Sequence, residues 1–141
     1  DHALIHRYLS EESYWARGIP RATVERAVAN SLSFAGFLGD RQVAFARMVT
    51  DRATFAYLAD VFVVTECRGS GYGKQIVAAV LDHPELQGLR RIMLATRDAH
   101  RLYAGFGFAA PTMPETLMEK RDPDIYQRAA ATPATLNAGP P

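Results

Sequence analysis

Asp60-Val61-Phe62-Val63-Val64, followed after Thr65-Glu66-Cys67 by Arg68-Gly69-Ser70-Gly71-Tyr72-Gly73-Lys74, decides the reading of this 141-residue chain. The first part closes an apolar run, Phe55 to Thr65, rich in β-branched and aromatic residues, as expected of a central strand covered on both faces. The second places three glycines in five positions directly before Ile76, Val77, Val80 and Leu81, whose spacing is that of a helix with one apolar stripe. Strand, glycine turn and helix in this order can present successive backbone N–H groups at a helix N-terminus, with the positive end of the helix dipole behind them. That is a concave anion site, suited to a pyrophosphate.

Toward the N-terminus, Leu4 to Leu9 predicts a first strand. Ser10, Glu11 and Glu12 predict a helix start running through Tyr14 and Trp15 and ended by Gly18 and Pro20. A second helix is expected from Arg21 on the spacing of Val24, Ala27, Val28 and Ser31, and strands over Ser33–Leu38 and Gln42–Val49 joined at Gly39-Asp40. In the latter strand Val43, Phe45 and Arg47 share one side and Ala44, Ala46 and Met48 the other; Thr50-Asp51-Arg52 then turns the chain. Toward the C-terminus the helix after the glycines ends near His83-Pro84, and Arg91–Thr96 is the next strand. Asp98 is the expected N-cap of a helix over Ala99–Ala104, and a last strand is expected near Leu117–Lys120. Residues 1–121 form one α/β domain (mixed α+β) around a mixed sheet with helices on both faces. The Ala- and Pro-rich residues 122–141 are expected to be a poorly ordered tail or a packed arm.

Composition narrows the function. A chain of this length can bury roughly two-thirds of the surface its unfolded form exposes, so a core and a cleft are both within reach. Hydrophobic residues at 48%, charged residues at 22% and a formal net charge of +1 describe an ordinary globular domain; the 16 Lys and Arg residues form no basic stripe, so no nucleic-acid partner is expected. One cysteine, Cys67, excludes a disulfide framework and suits a reducing compartment, so the cytoplasm is the expected location. No apolar run of about 18 residues suggests a membrane span. His2, His6, His83 and His100 have no metal-ligand spacing, and no metal is expected. A homodimer stays open, given exposed sheet edges and the apolar tail.

Three phosphate motifs compete for the glycine turn. A G-x-x-x-x-G-K-[ST] loop needs glycine at Arg68 and a hydroxyl residue at Gln75, and both fail. A dinucleotide G-x-G-x-x-G needs glycine at Lys74 or at Ile76, and both fail again. The pattern [Arg/Gln]-x-x-Gly-x-[Gly/Ala], read as Arg68, Gly71 and Gly73, resembles the acetyl-coenzyme A signature of the GNAT superfamily of N-acyltransferases. Leu102-Tyr103-Ala104-Gly105-Phe106-Gly107-Phe108 resembles that family's L-Y-x-x-x-G-F motif and stands in the required order. Over about residues 4 to 120 the expected order of strands also agrees with the family.

The resemblance implies the GNAT fold, a central mixed and mostly antiparallel sheet. It also implies transfer of an acetyl group from acetyl-CoA to a primary amine by direct attack in a ternary complex. The acceptor is an unidentified small molecule; a protein N-terminus or lysine, or a non-catalytic acyl-CoA sensor, are the alternatives. By the same resemblance Arg68, Gly69, Ser70, Gly71, Tyr72, Gly73 and Lys74 bind pyrophosphate, and the backbone of Phe62, Val63 and Val64 runs beside pantetheine. Thr96 stands where the family often has asparagine on the pantetheine arm. Tyr103 is the expected proton donor to the departing thiolate. A phenol near pKa 10 is uphill by about 2 kcal/mol as donor to a thiol near 8.5, so donation is concerted with C–S cleavage.

Asp60 is the one carboxylate in the central strand, expected to hold or deprotonate the incoming amine, with a salt bridge as the structural alternative. The segment carrying Tyr14 and Trp15 corresponds to the family's variable acceptor wall, with simple packing as the other reading. An acyl-Cys67 intermediate is set aside, since no histidine is near it in sequence.

Overall fold

In the computed structural model, which describes residues 1–131, Phe55–Val63 lies inside a four-stranded sheet. The strands stand in the order β1 (Leu32–Leu38), β2 (Arg41–Thr50), β3 (Phe55–Val63), β4 (Arg91–Met93). The first three are antiparallel neighbours joined by tight turns, and β4 is parallel to β3. A parallel neighbour requires a crossover, and α3 (Tyr72–Leu81) supplies it. The sheet is mixed and mostly antiparallel, as the sequence implied.

Alternation in β2 divides the core in two. Val43 and Phe45 face a cluster built from α1 (His2–Arg7), the π-helical turn Tyr8–Glu12 and α2 (Arg21–Ala29), which contribute Ile5, Tyr8, Leu9 and Val24. Ala44, Ala46 and Met48 face the opposite cluster, where Ile76, Val77 and Val80 of α3 and Tyr103 of α4 (His100–Ala104) pack. Helices therefore cover both faces. Met48, Val77 and Val80 are fully buried, each burial stabilising the fold by about 1.5–3 kcal/mol.

Several local expectations are overturned. Leu4–Leu9 is helical: Leu4, Ile5, Tyr8 and Leu9 form one helical stripe, and Asp1 caps it by accepting the Leu4 N–H at 3.0 Å. The helix expected through Tyr14 and Trp15 ends at Glu12, because Ser13 is extended. The Ser13 hydroxyl donates to Leu9 C=O at 2.6 Å and accepts the Ala16 N–H at 3.1 Å, placing Tyr14 and Trp15 in a bend. Asp98 does not cap α4, whose N-cap Ala99 makes no side-chain cap bond; the Thr96 hydroxyl instead holds the turn before the helix, accepting the N–H of Ala99 at 3.0 Å and of Asp98 at 3.4 Å.

Strand β4 stops at Met93 rather than Thr96, and Leu117–Lys120 forms no strand, its apolar side chains finding no partner; Met118 is 98% exposed. Within the tail, Ile125–Ala131 forms α5, and Tyr126 packs against the α1 cluster; residues 132–141 lie outside the described residues. No helix among the described residues is long and apolar enough to cross a membrane.

Candidate active site

The site begins with an irregularity in β3. Phe45 pairs with Phe62 but Arg47 pairs with Ala59, so one extra residue is inserted into β3, a β-bulge. At the bulge Asp60 has φ of 54°, in the left-handed region that residues other than glycine seldom occupy. The insertion slips the alternation once. Ala56 and Leu58 face α3, whereas Phe62 and Val64 face the α1 cluster. Pairing of β3 with β4 ends at Tyr57–Met93, and past that point the two strands open a cleft of about 630 Å³ that Tyr14, Trp15, Asp60, Thr96, Arg97 and Tyr103 help to line.

At the far end of β3 the glycine turn meets α3. Gly69 and Gly71 have φ of 81° and 83°, and Gly71 is the left-handed N-cap of α3. Within the turn the first N–H with an acceptor is that of Gln75, which donates to Gly71 C=O at 3.1 Å. The N–H groups of Gly69, Ser70, Gly71, Tyr72, Gly73 and Lys74 have no hydrogen-bond acceptor among the described residues. Six consecutive open donors at the positive end of a ten-residue helix are a site for a polyanion. Arg68 holds the turn in place instead of pointing outward. Its Nε donates to Val63 C=O at 3.1 Å, and a terminal nitrogen donates to the Tyr8 hydroxyl while the guanidinium lies over the Tyr8 ring. Tyr8 in turn stacks on Phe62 with ring centroids 3.9 Å apart.

The strand residues expected beside pantetheine are not equivalent. Val64 donates its N–H to Val43 C=O at 2.9 Å, so its backbone faces β2. Alternation turns the N–H and C=O of Val63 the other way, toward the gap left by β4. Val63 thus presents the cleft-side amide, and the Phe62 side chain is buried as a core aromatic.

Tyr103 is buried, and burial pushes its phenol above the ordinary range, with smaller contributions from Tyr14 and Asp98. Its hydroxyl bonds to no described residue. The Tyr14 hydroxyl accepts the Arg97 N–H at 2.9 Å while the Arg97 guanidinium stacks 3.9 Å over the Tyr14 ring, joining the N-terminal segment to the loop after β4. The Thr96 hydroxyl, at the cleft, accepts the Ala99 N–H at 3.0 Å in the turn before α4.

Asp60 is held on both carboxylate oxygens. One carboxylate oxygen accepts from Arg47 Nε at 2.5 Å and the other from Trp15 Nε1 at 3.0 Å, so the structural alternative, a salt bridge, is what forms. Arg47 and Arg97 were missed by sequence reasoning. For Arg47 a signal existed, since it is the one charge inside 42–49 as Asp60 is inside 55–65, and a short turn makes these strands antiparallel neighbours.

A bulged central strand, a parallel neighbour that parts from it and an amide-rich turn at the head of the crossover helix meet at this cleft. The chain belongs to the Acetyltransferase (GNAT) family, whose profile matches residues 2–108, and it is an acetyltransferase. It is similar to a crystal structure assigned to the GNAT family from Xanthomonas campestris pv. campestris, with 57% identity, a TM-score of 0.87 and 89% of each chain covered. It is 42% identical over 65 residues to a Gibberella zeae protein assigned as an acetyltransferase, a match spanning 44% of this chain and 36% of that protein's length. Glucosamine-6-phosphate N-acetyltransferase of Arabidopsis thaliana shares the fold, with a TM-score of 0.56 at 15% identity over 85% of this chain and 87% of that one. The family's acetyl donor is acetyl-CoA, whose pyrophosphate suits the open amides of the glycine turn.

Proposed function

We propose that the chain moves the acetyl group of acetyl-CoA directly to a primary amine of a small molecule, both substrates meeting in the cleft. The observation that carries this reading is the row of open N–H groups from Gly69 to Lys74 at the end of the gap between β3 and β4. These amides hold the pyrophosphate, assisted by the exposed Lys74 and by Ser70, and Arg68 acts by fixing the turn to Val63 and Tyr8. Pantetheine lies along the gap, where the Val63 N–H takes the place of a missing sheet hydrogen bond. Thr96, its oxygen already accepting the Ala99 N–H, can still donate its hydroxyl proton to that arm.

The neutral amine attacks the thioester carbonyl carbon and the C–S bond breaks. The amine proton leaves to water in the cleft, and the sulfur takes a proton from Tyr103. A phenol held above its ordinary range by burial keeps that proton through the physiological pH interval. Tyr14 and Trp15 form the acceptor wall. One cysteine in the chain suits a reducing, cytoplasmic setting.

The test has two steps. Acetyl-CoA at a hundred times its Kd adds about 2.7 kcal/mol to unfolding stability and raises Tm; no shift at millimolar ligand would end the acyltransferase reading. An amine panel followed by thiol release then finds the acceptor. Tyr103→Phe lowers kcat about 10- to 100-fold with little change in the acetyl-CoA KM.

A further inference from the structure

We infer that Arg47 and Trp15 are positioning residues: by gripping both oxygens of Asp60 they hold it left-handed and so fix the bulge that opens the cleft. Asp60 itself is then a conformational element of the site and not its base. The inference rests on the proposed acetyl-CoA reading only for its effect on ligand affinity.

The chain of contacts is continuous. Ala27 C=O, near the end of α2, accepts from the Ser31 hydroxyl at 2.7 Å, and Ser31 Oγ accepts from an Arg47 terminal nitrogen at 3.1 Å. Arg47 Nε donates to Asp60, and Trp15 donates to the other Asp60 oxygen from the bend that lines the cleft. The ion-paired side chains are only 19% and 10% exposed. A pair this sheltered is costly to break from one side, because the remaining charge stays desolvated, so it acts as a lock.

What it locks is a conformation that an L-residue resists. Left-handed backbone is disfavoured for any side chain, least so for Asp and Asn, and is free for glycine. Without the grip, β3 can regain ordinary pairing with β2 by shedding its extra residue, which shifts every later side chain to the other face. Phe62 would then leave Tyr8, on which Arg68 and the glycine turn depend. The same two bonds stabilise the Asp60 carboxylate as the partner of Arg47 and Trp15, an anchoring role that needs no proton taken from an incoming amine.

Glycine separates conformation from carboxylate. Acetyl-CoA titration is followed by the emission of Trp15, the one tryptophan of the chain. Asp60→Gly, which keeps the left-handed backbone available, is expected to weaken Kd by about threefold, and Asp60→Ala, which does not, by about tenfold. Arg47→Met is expected to cost about tenfold in the wild-type background and little more in the Asp60→Gly background, since nothing remains to be held. Asp60→Gly is also expected to keep the wild-type pH profile of thiol release across the amine panel.

Equal losses for Gly and Ala, an Arg47→Met effect of the same size in both backgrounds, or loss of the acid limb of the pH profile in Asp60→Gly would each overturn the inference. If the wild type binds no acetyl-CoA, the acyltransferase reading fails by itself. The clamp is then judged on Tm, with Asp60→Ala expected below Asp60→Gly.

Discussion

Two tight turns flank β3, and they treat their backbone N–H groups in opposite ways. At the start of the strand one oxygen of Asp51 accepts the N–H groups of Ala53, Thr54 and Phe55 at 3.0, 2.8 and 3.1 Å, and its other oxygen accepts the Thr54 hydroxyl at 2.6 Å. These bonds hold the Asp51 carboxyl far below the usual carboxylate range, the Thr54 side chain first among them. After the strand, the turn from Gly69 to Lys74 offers six N–H groups and no carboxylate of its own. The first turn carries its anion in the sequence and is finished when the chain folds. The second has no such internal partner, which is why the proposed reading gives it to an anion from outside.

Four measurements break or sharpen that contrast. The largest effect belongs to Gly71→Glu, which supplies the glycine turn with an internal carboxylate and forces a side chain onto φ of 83°. The stabilisation by acetyl-CoA, about 2.7 kcal/mol at a hundred times Kd, is expected to vanish, read as a Tm that no longer moves with ligand. Asp51→Ala is the converse. It is expected to lower Tm by a few degrees and leave the acetyl-CoA shift intact. Because the folded carboxyl titrates below its ordinary value of 3.8, its stabilisation is present above that pH and is lost as the pH falls below it. The Tm gap between wild type and variant is therefore full at neutral pH and closes in acid.

Smaller still is Gly69→Ala. Nothing lies within 4 Å of the added Cβ at φ of 81°, so only backbone strain of about 1–2 kcal/mol is at issue, read as a lower Tm and, because relieving it moves the free turn out of its binding shape, a several-fold weaker Kd. The smallest concerns Tyr8, which anchors Arg68 behind the open turn. Burial raises its phenol, an effect that the adjacent Arg68 partly offsets, so above pH 10.0 the unfolded chain releases its proton first and stability falls. Tyr8→Phe is expected to flatten that alkaline decline in a Tm series.

How far the molecule was legible in its sequence follows from whether a feature is local. Alternation in Gln42–Val49 and the apolar stripe of Ile76, Val77, Val80 and Leu81 depend only on neighbours in the chain, and both give the right element and the right faces. The glycine turn was readable because left-handed backbone at Gly69 and Gly71 requires that residue type. Leu4–Leu9 misled because Leu4, Ile5, Tyr8 and Leu9 are apolar enough for a strand, and the deciding contact, the Asp1 cap, lies at the edge of the reading window.

The bulge was not legible. Asp60 has φ of 54° because Arg47 and Trp15 meet it across 13 and 45 residues of chain, and no spacing in Phe55–Val63 announces an extra residue. The bonds the Thr96 hydroxyl makes in the turn before α4 were not legible for the same reason: its partners are set by where β4 ends. The proposed cofactor loop is thus written in glycines, while the acceptor side of the cleft is written in contacts between distant segments.

Strand β2 is paired along both edges and covered on both faces, whereas its neighbour β3 loses its pairing with β4 beyond Tyr57. Its amide protons can exchange with deuterium only when the whole domain opens, whereas those of the glycine turn and the cleft side of Val63 exchange from the native state. A deuterium-uptake experiment therefore carries its own internal clock. Slowing at Gly69 to Lys74 and at Val63, with β2 unchanged, would map the bound cofactor before any acceptor amine is known.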